Sequence, residues 1–286
     1  MIFLYLFLLF LILLFIYFYY FKKHKNILKE ELVIKHHPSA GFFSCCSIKL
    51  SNIVNYYNKF NFFPEKINTD SLFNIYKTSN KNIDSHFFQK NIENIDKFIL
   101  NKVKEPGCSN ISNYSLYDYK NLGYIINKYF KPTQKIINIK NKLISKYRIN
   151  KNCTAVYYRG TDKYIEVKSV GFGIFKKKID TIIQKGEKIL LLTDSKQFLN
   201  YMENMYGKEK IIFINENKVS YKNRGIHYEN TRVENYKDIF YLFASLLIIS
   251  ESKNIICTSG NCSKWLALYR GNCNNFYQYV NNEWTN

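Results

Sequence analysis

Acidic side chains are scarce: the 286 residues carry 22 Asp and Glu against 42 Lys and Arg, a formal charge of +20 at pH 7. A charge of that size admits anionic partners. The lysines, however, run along the whole chain and form no dense basic tract or Arg-Gly-Gly run, so nucleic acid is not expected as a partner. Lys, Asn and Ile abound everywhere, loops included, and the excess reads as compositional drift over a solvated basic surface, with local use for an anionic ligand. There is no Cys-x-x-Cys pair and no Cys/His grouping at zinc spacing. Seven cysteines, odd in number and irregularly spaced, exclude a disulfide framework. Cys153 and Cys257 sit in apolar runs and read as buried free thiols.

Charge is absent altogether from residues 1–21, which are almost wholly Leu, Ile, Phe and Tyr and end abruptly in Lys22, Lys23, His24 and Lys25. About 20 such residues span a bilayer as a helix, so one membrane anchor is expected there, followed by a basic linker over 22–30. A cleaved signal would begin with a basic segment and end in small residues, and this run does neither. The side of the membrane stays open. The basic cluster after the run favours a cytoplasmic body, and of four glycosylation sequons, at Asn110, Asn113, Asn152 and Asn261, two fall beside the strand-end motifs described below, where glycans would obstruct a ligand, which leans the same way.

The globular part divides near residue 148. Residues 31–148 open with a short apolar strand at 32–35 and run through His36 and His37, read as loop histidines, into a glycine loop containing Gly41, Phe42 and Ser44. Leu50, Ile53, Val54 and Tyr57 then recur at helical spacing. Strand, glycine loop and helix start make a unit whose backbone N–H groups can face an anion. Two further helical stripes, one with Leu122, Ile125 and Ile126 and one with Ile136, Leu143 and Ile144, are separated by Pro132.

From residue 149 to 286 strands and helices alternate. Strands are expected over 154–158, 188–193, 211–214 and 254–258, with helices between them, which implies a parallel doubly wound α/β sheet. Ligands of such sheets sit beyond the carboxyl ends of the strands, and the polar residues gather there. Arg159, Gly160, Thr161, Asp162 and Lys163 follow the first strand, Thr193 and Asp194 the second, and Ser259, Gly260, Asn261 and Ser263 the last. Hydroxyls, carboxylates and one Arg at three strand ends outline a pocket for a ligand with phosphates and hydroxyls. A loop bearing Arg224, His227 and Tyr228 has no role in this reading.

The motifs YYRGTDK with Glu166 behind it, LLLTDS, a long apolar helix ending in LIISES, and IICTSGNCSKW resemble, in the same order, the donor-binding half of the fucosyltransferase superfamily. That group includes the α-1,6-fucosyltransferases, rhizobial chitooligosaccharide fucosyltransferases and protein O-fucosyltransferases, and the nearest pattern is that of bacterial relatives with HYRGTDK. The likeness covers about residues 153–271, and the GFFS loop is similar to an acceptor-side loop of some members.

The resemblance implies a GT-B fold, two Rossmann-like halves facing a cleft, with 31–148 on the acceptor side and 149–286 holding the nucleotide sugar. It implies transfer of fucose from GDP-fucose to a glycan or glycoprotein hydroxyl with inversion. Analogy with membrane-anchored sugar-transfer enzymes points to the lumenal face of the membrane. Arg159 would contact the donor diphosphate, Glu166 with Lys163 beside it would serve as base, and Thr161 and Asp162 would shape the loop. Asp194 would hold the nucleotide, and Ser259, Asn261 and Ser263 would line the diphosphate and guanosine region. The chain departs from the family at Tyr157, where His is usual, at Gly160, where the α-1,6 branch has a second Arg, and at Ser245, where Asp is common. No Asp-x-Asp occurs anywhere, so neither a metal nor another cofactor is expected at the donor site. Two alternatives stay open: another nucleotide sugar as donor, and a non-catalytic basic binding protein tethered to the membrane.

Overall fold

A computed structural model describes residues 2–28, 31–35, 40–78, 83–89, 102–104, 112–161, 170–222 and 224–285. The first helix, α1, covers Ile2–Leu28. Its side chains are described at Phe3 and from Tyr5 to Tyr20, and all of them are exposed, with no buried face. Among the described residues no helix is long and apolar enough to cross a membrane; the run of described side chains stops at Tyr20, short of the helix end.

The next segment is a parallel crossover. Strand β1 (Leu32–Val33) leads into helix α2 (Phe42–Phe60) and returns to β2 (Ile67–Asn68), which pairs with β1 in parallel. The glycine loop belongs to the helix itself: Gly41 is its N-cap, with extended backbone and no side chain to offer, and Phe42 to Ser44 form the first turn. Leu50, Ile53, Val54 and Tyr57 are all buried, as their spacing predicts. A short helix α3 (Asp84–Phe87) follows, then α4 (Tyr119–Tyr129) and α5 (Gln134–Tyr147). The break between α4 and α5 falls at Pro132, which makes a bridge to Phe88 instead of continuing a helix.

The remaining elements are β3 (Thr154–Tyr158), α6 (Phe172–Asp180), β4 (Ile189–Thr193), α7 (Lys196–Tyr206), β5 (Ile211–Phe213), α8 (Ile226–Glu229), α9 (Arg232–Ser250), β6 (Asn254–Thr258), α10 (Asn261–Arg270), β7 (Phe276–Val280) and β8 (Glu283–Thr285). They build a six-stranded sheet of order β5-β4-β3-β6-β7-β8, parallel except for the last strand. Every residue of β3, β4 and β6 is buried, because helices cover both faces and leave no side for water. Successive side chains of β3 enter different layers. Ala155 and Tyr157 join the core with α2, α4, α5, α9 and α10, and Val156 and Tyr158 join the core with α6 and α7. Helix α9 starts at a reciprocal cap in which the Thr231 hydroxyl accepts from the Glu234 N–H and the Glu234 carboxylate accepts from the Thr231 N–H.

Residues on the two sides of position 148 share one hydrophobic core, running from Ile34 to Phe276. Among the described residues the first half contributes a two-stranded sheet, where the resemblance implies a Rossmann-like one. Its helices pack on the face of the large sheet: Phe130 lies against Trp265 at 4.7 Å between ring centres, and the Trp265 indole N–H donates to the Ser47 hydroxyl at 3.1 Å. Inside this layer Lys49, 2% exposed, donates to both Asp84 oxygens at 2.9 and 2.7 Å and to the Tyr129 carbonyl at 3.3 Å. Its ammonium also stands over the Phe88 and Phe130 rings.

Breaking the Lys49–Asp84 pair from one side should be costly, because it strands a charge. Asp84→Ala is expected to lower unfolding free energy by about 3 kcal/mol or more, read from urea denaturation, and Lys49→Met, which removes the buried charge, should cost less. The buried thiols set a second expectation. Burial pushes the Cys45 thiol from 9.0 up to about 11, and raises Cys46 and Cys257 as well. Groups raised on folding add stability that is complete below the unfolded value and lost as pH climbs through the folded one. Urea midpoints should therefore hold steady through neutral pH and fall between about 9 and about 11.

Candidate functional site

In the large sheet the connections from β3 run outward through β4 to β5, and those from β6 run the other way through β7 to β8. Between β3 and β6 the carboxyl ends open a crevice, the place where doubly wound sheets bind ligands. The turn after β3 is held by Asp194 at the end of β4. Its Oδ1 accepts from the Gly160 N–H at 2.8 Å and its Oδ2 from the Thr161 hydroxyl at 2.7 Å. The Arg159 Nε lies 3.8 Å from the same Oδ2, with the Arg side chain 25% exposed. Gly160 has no space for a side chain: a Cβ there would stand 2.7 Å from the Tyr158 ring and 3.0 Å from the Ser195 Cβ. A second Arg at this position, as in the α-1,6 branch, would need both neighbours to move.

A cavity of about 270 Å³ lies over this turn. One wall is Tyr157, Arg159, Thr193 and Asp194, completed by Asn261 and Cys262 from the first turn of α10. Facing it are Gly41, Phe42 and Ser44 from the first turn of α2. Neither α2 nor α10 has a side-chain cap, so two helix N-termini, each the positive end of its dipole, reach the same cavity as Arg159. The α2 end is tied to its surroundings by the Phe42 N–H donating to the Tyr76 hydroxyl at 2.8 Å. Burial pushes the Cys262 thiol up, against the opposing pull of Arg159 and of the Tyr157 hydroxyl hydrogen-bonded to it.

The third side comes from the segment after β5 and from α8 and α9: Glu216, Asn217, Lys218, His227, Tyr228, Asn235 and Asp238. The Lys218 ammonium lies 3.0 Å from Asp238 and 3.6 Å from Glu234. Burial works against its charge, but the two carboxylates outweigh it and raise the Lys218 pKa. Burial likewise opposes the Glu216 charge, and hydrogen bonds from Lys146 and Tyr147, both at 2.6 Å, outweigh it and lower the Glu216 pKa. Among the described residues no three His, Cys, Asp or Glu side chains group where they could hold a metal ion.

Of the expected site residues, Tyr157, Arg159, Thr193, Asp194, Asn261, Gly41, Phe42 and Ser44 line the cavity. Thr161 is buried with its hydroxyl on Asp194, and Gly160 forms the turn. Three other expected residues, Ser259, Gly260 and Ser263, do not line the cavity. The Ser259 hydroxyl donates to the Tyr279 carbonyl at 2.9 Å and accepts from Gln278. Ser263 is fully buried, with its hydroxyl 2.9 Å from that of Tyr114 and 3.0 Å from the Gly260 carbonyl. The Gly260 N–H is used by the Tyr114 hydroxyl at 2.9 Å. Tyr114, from far up the chain, thus turns this triplet into a structural knot and leaves Asn261 and Cys262 as the part that lines the cavity. Asp194, besides lining the cavity, anchors the turn bearing Arg159. Asp162, Lys163, Glu166, His36, His37 and Asn110 lie outside the described residues.

The third wall went unassigned in the sequence, although a signal existed: β5 is a parallel strand of the same sheet, and its carboxyl end had to reach the same crevice. Removing the Tyr114 hydroxyl should leave the Gly260 N–H buried without a partner, so Tyr114→Phe is expected to cost about 1–3 kcal/mol in urea unfolding. Ser263→Ala should lower stability and leave ligand affinity alone; the opposite pattern would return Ser263 to the binding site.

No protein-family model matches the chain, and no curated protein does.

Proposed function

We propose that the chain is a nucleotide-sugar-dependent glycosyltransferase of GT-B type, with GDP-fucose the first candidate donor and a glycan or glycoprotein hydroxyl as acceptor. The observation that carries this reading is the meeting of Arg159 with the N-termini of α2 and α10 on one cavity at the strand-order reversal. Transfer of a sugar from a nucleoside diphosphate leaves a diphosphate whose charge grows as the glycosidic bond breaks. A guanidinium and two helix starts lining one cavity would stabilise that charge. The crossover β1–α2–β2 supplies the half that faces the nucleotide-binding sheet. In the same reading α1 is the anchor: its charge-free run is about 20 residues, or about 30 Å of helix, the thickness of a bilayer core.

A panel of nucleotides and nucleotide sugars tests the donor, since a true ligand raises the melting temperature by mass action. GDP and GDP-fucose should shift it most, and a larger shift with uridine compounds would move the reading to another donor. Arg159→Ala should remain folded by circular dichroism and lose about 10²–10³ in turnover of the donor. An Arg159→Ala protein that turns the donor over at the normal rate would overturn the assignment.

A further inference from the structure

We propose that a second cavity, walled by α7 and the segment after β5, is a site for a neutral saccharide and holds the acceptor. The acceptor role rests on the transfer reading above; the saccharide site does not. The cavity holds about 450 Å³ and adjoins the first, with Asn217, Lys218, Ile226 and Asn230 lining both. It lies wholly within 149–286, whereas the resemblance would put acceptor contacts on 31–148. Transfer needs two substrates, and the features that suit an anionic donor, Arg159 and the starts of α2 and α10, line the first cavity and not the second.

The lining favours a ligand without charge. Lys196 and Lys218 are balanced by Glu203 and Glu229. Lys218 lies 3.0 Å from Asp238 and donates to the Asn230 Oδ1 at 3.1 Å, while Glu229 accepts from the Ser220 hydroxyl and lies 3.5 Å from Lys222. The start of α7, which reaches this cavity through Lys196, is already closed. The Ser195 hydroxyl accepts from the Phe198 N–H, and the Lys196 N–H donates to the Ser220 carbonyl at 3.0 Å, so an anion gains little there. What the lining does hold is a buried acceptor. Asn217 is 7% exposed, and its Oδ1 has no hydrogen-bond partner among the described residues. Its amide nitrogen is committed elsewhere, donating to the Ser245 hydroxyl on α9 at 2.8 Å and to the Ile214 carbonyl at 3.4 Å. Ser245 therefore fixes which end of the amide is left over. A buried oxygen in that state costs free energy until a donor reaches it, and a ligand hydroxyl is such a donor. Sugar hydroxyls donate and accept at once, which suits a lining that sets Asn217 and Glu203 beside Lys196. The half-buried Phe213 and the buried Leu199 give the C–H face of a sugar ring an apolar surface.

The test measures binding to the full chain, without nucleotide, of lactose, N-acetylglucosamine and chitotriose, beside sulfated N-acetylglucosamine and a serine-rich peptide. The neutral sugars should bind at millimolar concentration, and the sulfated sugar and the peptide should not. Asn217→Leu, which removes the acceptor oxygen at similar volume, should weaken sugar binding about tenfold or more. Asn215→Trp, an exposed position that lines the second cavity and not the first, should abolish it by filling the space. Both variants should remain folded by circular dichroism. Native-like binding in either folded variant, no binding by any neutral sugar, or equally tight binding of the sulfated sugar or the peptide would overturn the site. Sugar binding by a protein that responds to no nucleotide would keep the site and overturn the transfer reading together with the acceptor role. A nucleotide response without sugar binding would do the reverse.

Discussion

One carboxylate holds the site together. Asp194 accepts from Gly160 and Thr161 on the neighbouring strand end and lies beside the Arg159 guanidinium. Its backbone extends the same tie outward: the Ser220 N–H donates to the Asp194 carbonyl at 2.9 Å, and the Lys196 N–H donates to the Ser220 carbonyl at 3.0 Å. The carboxyl ends of β3 and β4 and the segment after β5 are therefore fastened at one point. Next to it Ser195 caps α7, its hydroxyl accepting from the Phe198 N–H, so the fastening is continuous with a helix start. Three loops that would otherwise move separately present one surface to the crevice.

The same logic explains why the first half of the chain cannot be treated as a separate body. The Ser47 hydroxyl on α2 sits 2.8 Å from the Asn261 Oδ1 on α10 and receives the Trp265 indole N–H. This polar junction lies directly behind the cavity, inside an aromatic layer where Phe43 approaches both Phe243 and Trp265. A polar contact in such surroundings is strong because the alternative is an unsatisfied group. It fixes the N-termini of α2 and α10 relative to each other, and the convergence of their dipoles on one cavity follows from core packing.

What could be read in the sequence was what local pattern encodes. Strands β3, β4 and β6 are continuous apolar runs because both faces of the sheet are covered, and α9 is long and apolar for the same reason. Strands β7 and β8 escaped notice because FYQYV alternates buried and half-buried residues amid Asn-rich turns and resembles the surrounding composition. Long-range partners were the real obstacle. Nothing near Gly260 and Ser263 announces Tyr114, some 146 and 149 positions away, and without it a serine after a strand reads as a ligand contact. Asp194 was found, but its ties to Gly160 and Thr161 were not, since those groups lie 34 and 33 positions upstream.

Composition misleads about the site in a similar way. A net charge of +20 suggests a basic surface steering anions. Three of the described lysines are instead paired with carboxylates: Lys218 with Asp238, Lys146 with Glu216, Lys49 with Asp84. Among the described residues the cavity lining carries Arg159 and Lys218 beside three carboxylates, Asp194, Glu216 and Asp238, and the backbone N–H groups at the starts of α2 and α10 add a donor surface that appears in no tally of charged residues. Charges on the open surface are screened within about 8 Å at physiological salt, whereas those lining a recess are screened far less. In the proposed reading, anion recognition is a property of where α2, α10 and β3 end. Neutralising surface lysines would change the charge of the protein greatly and the field at Arg159 little.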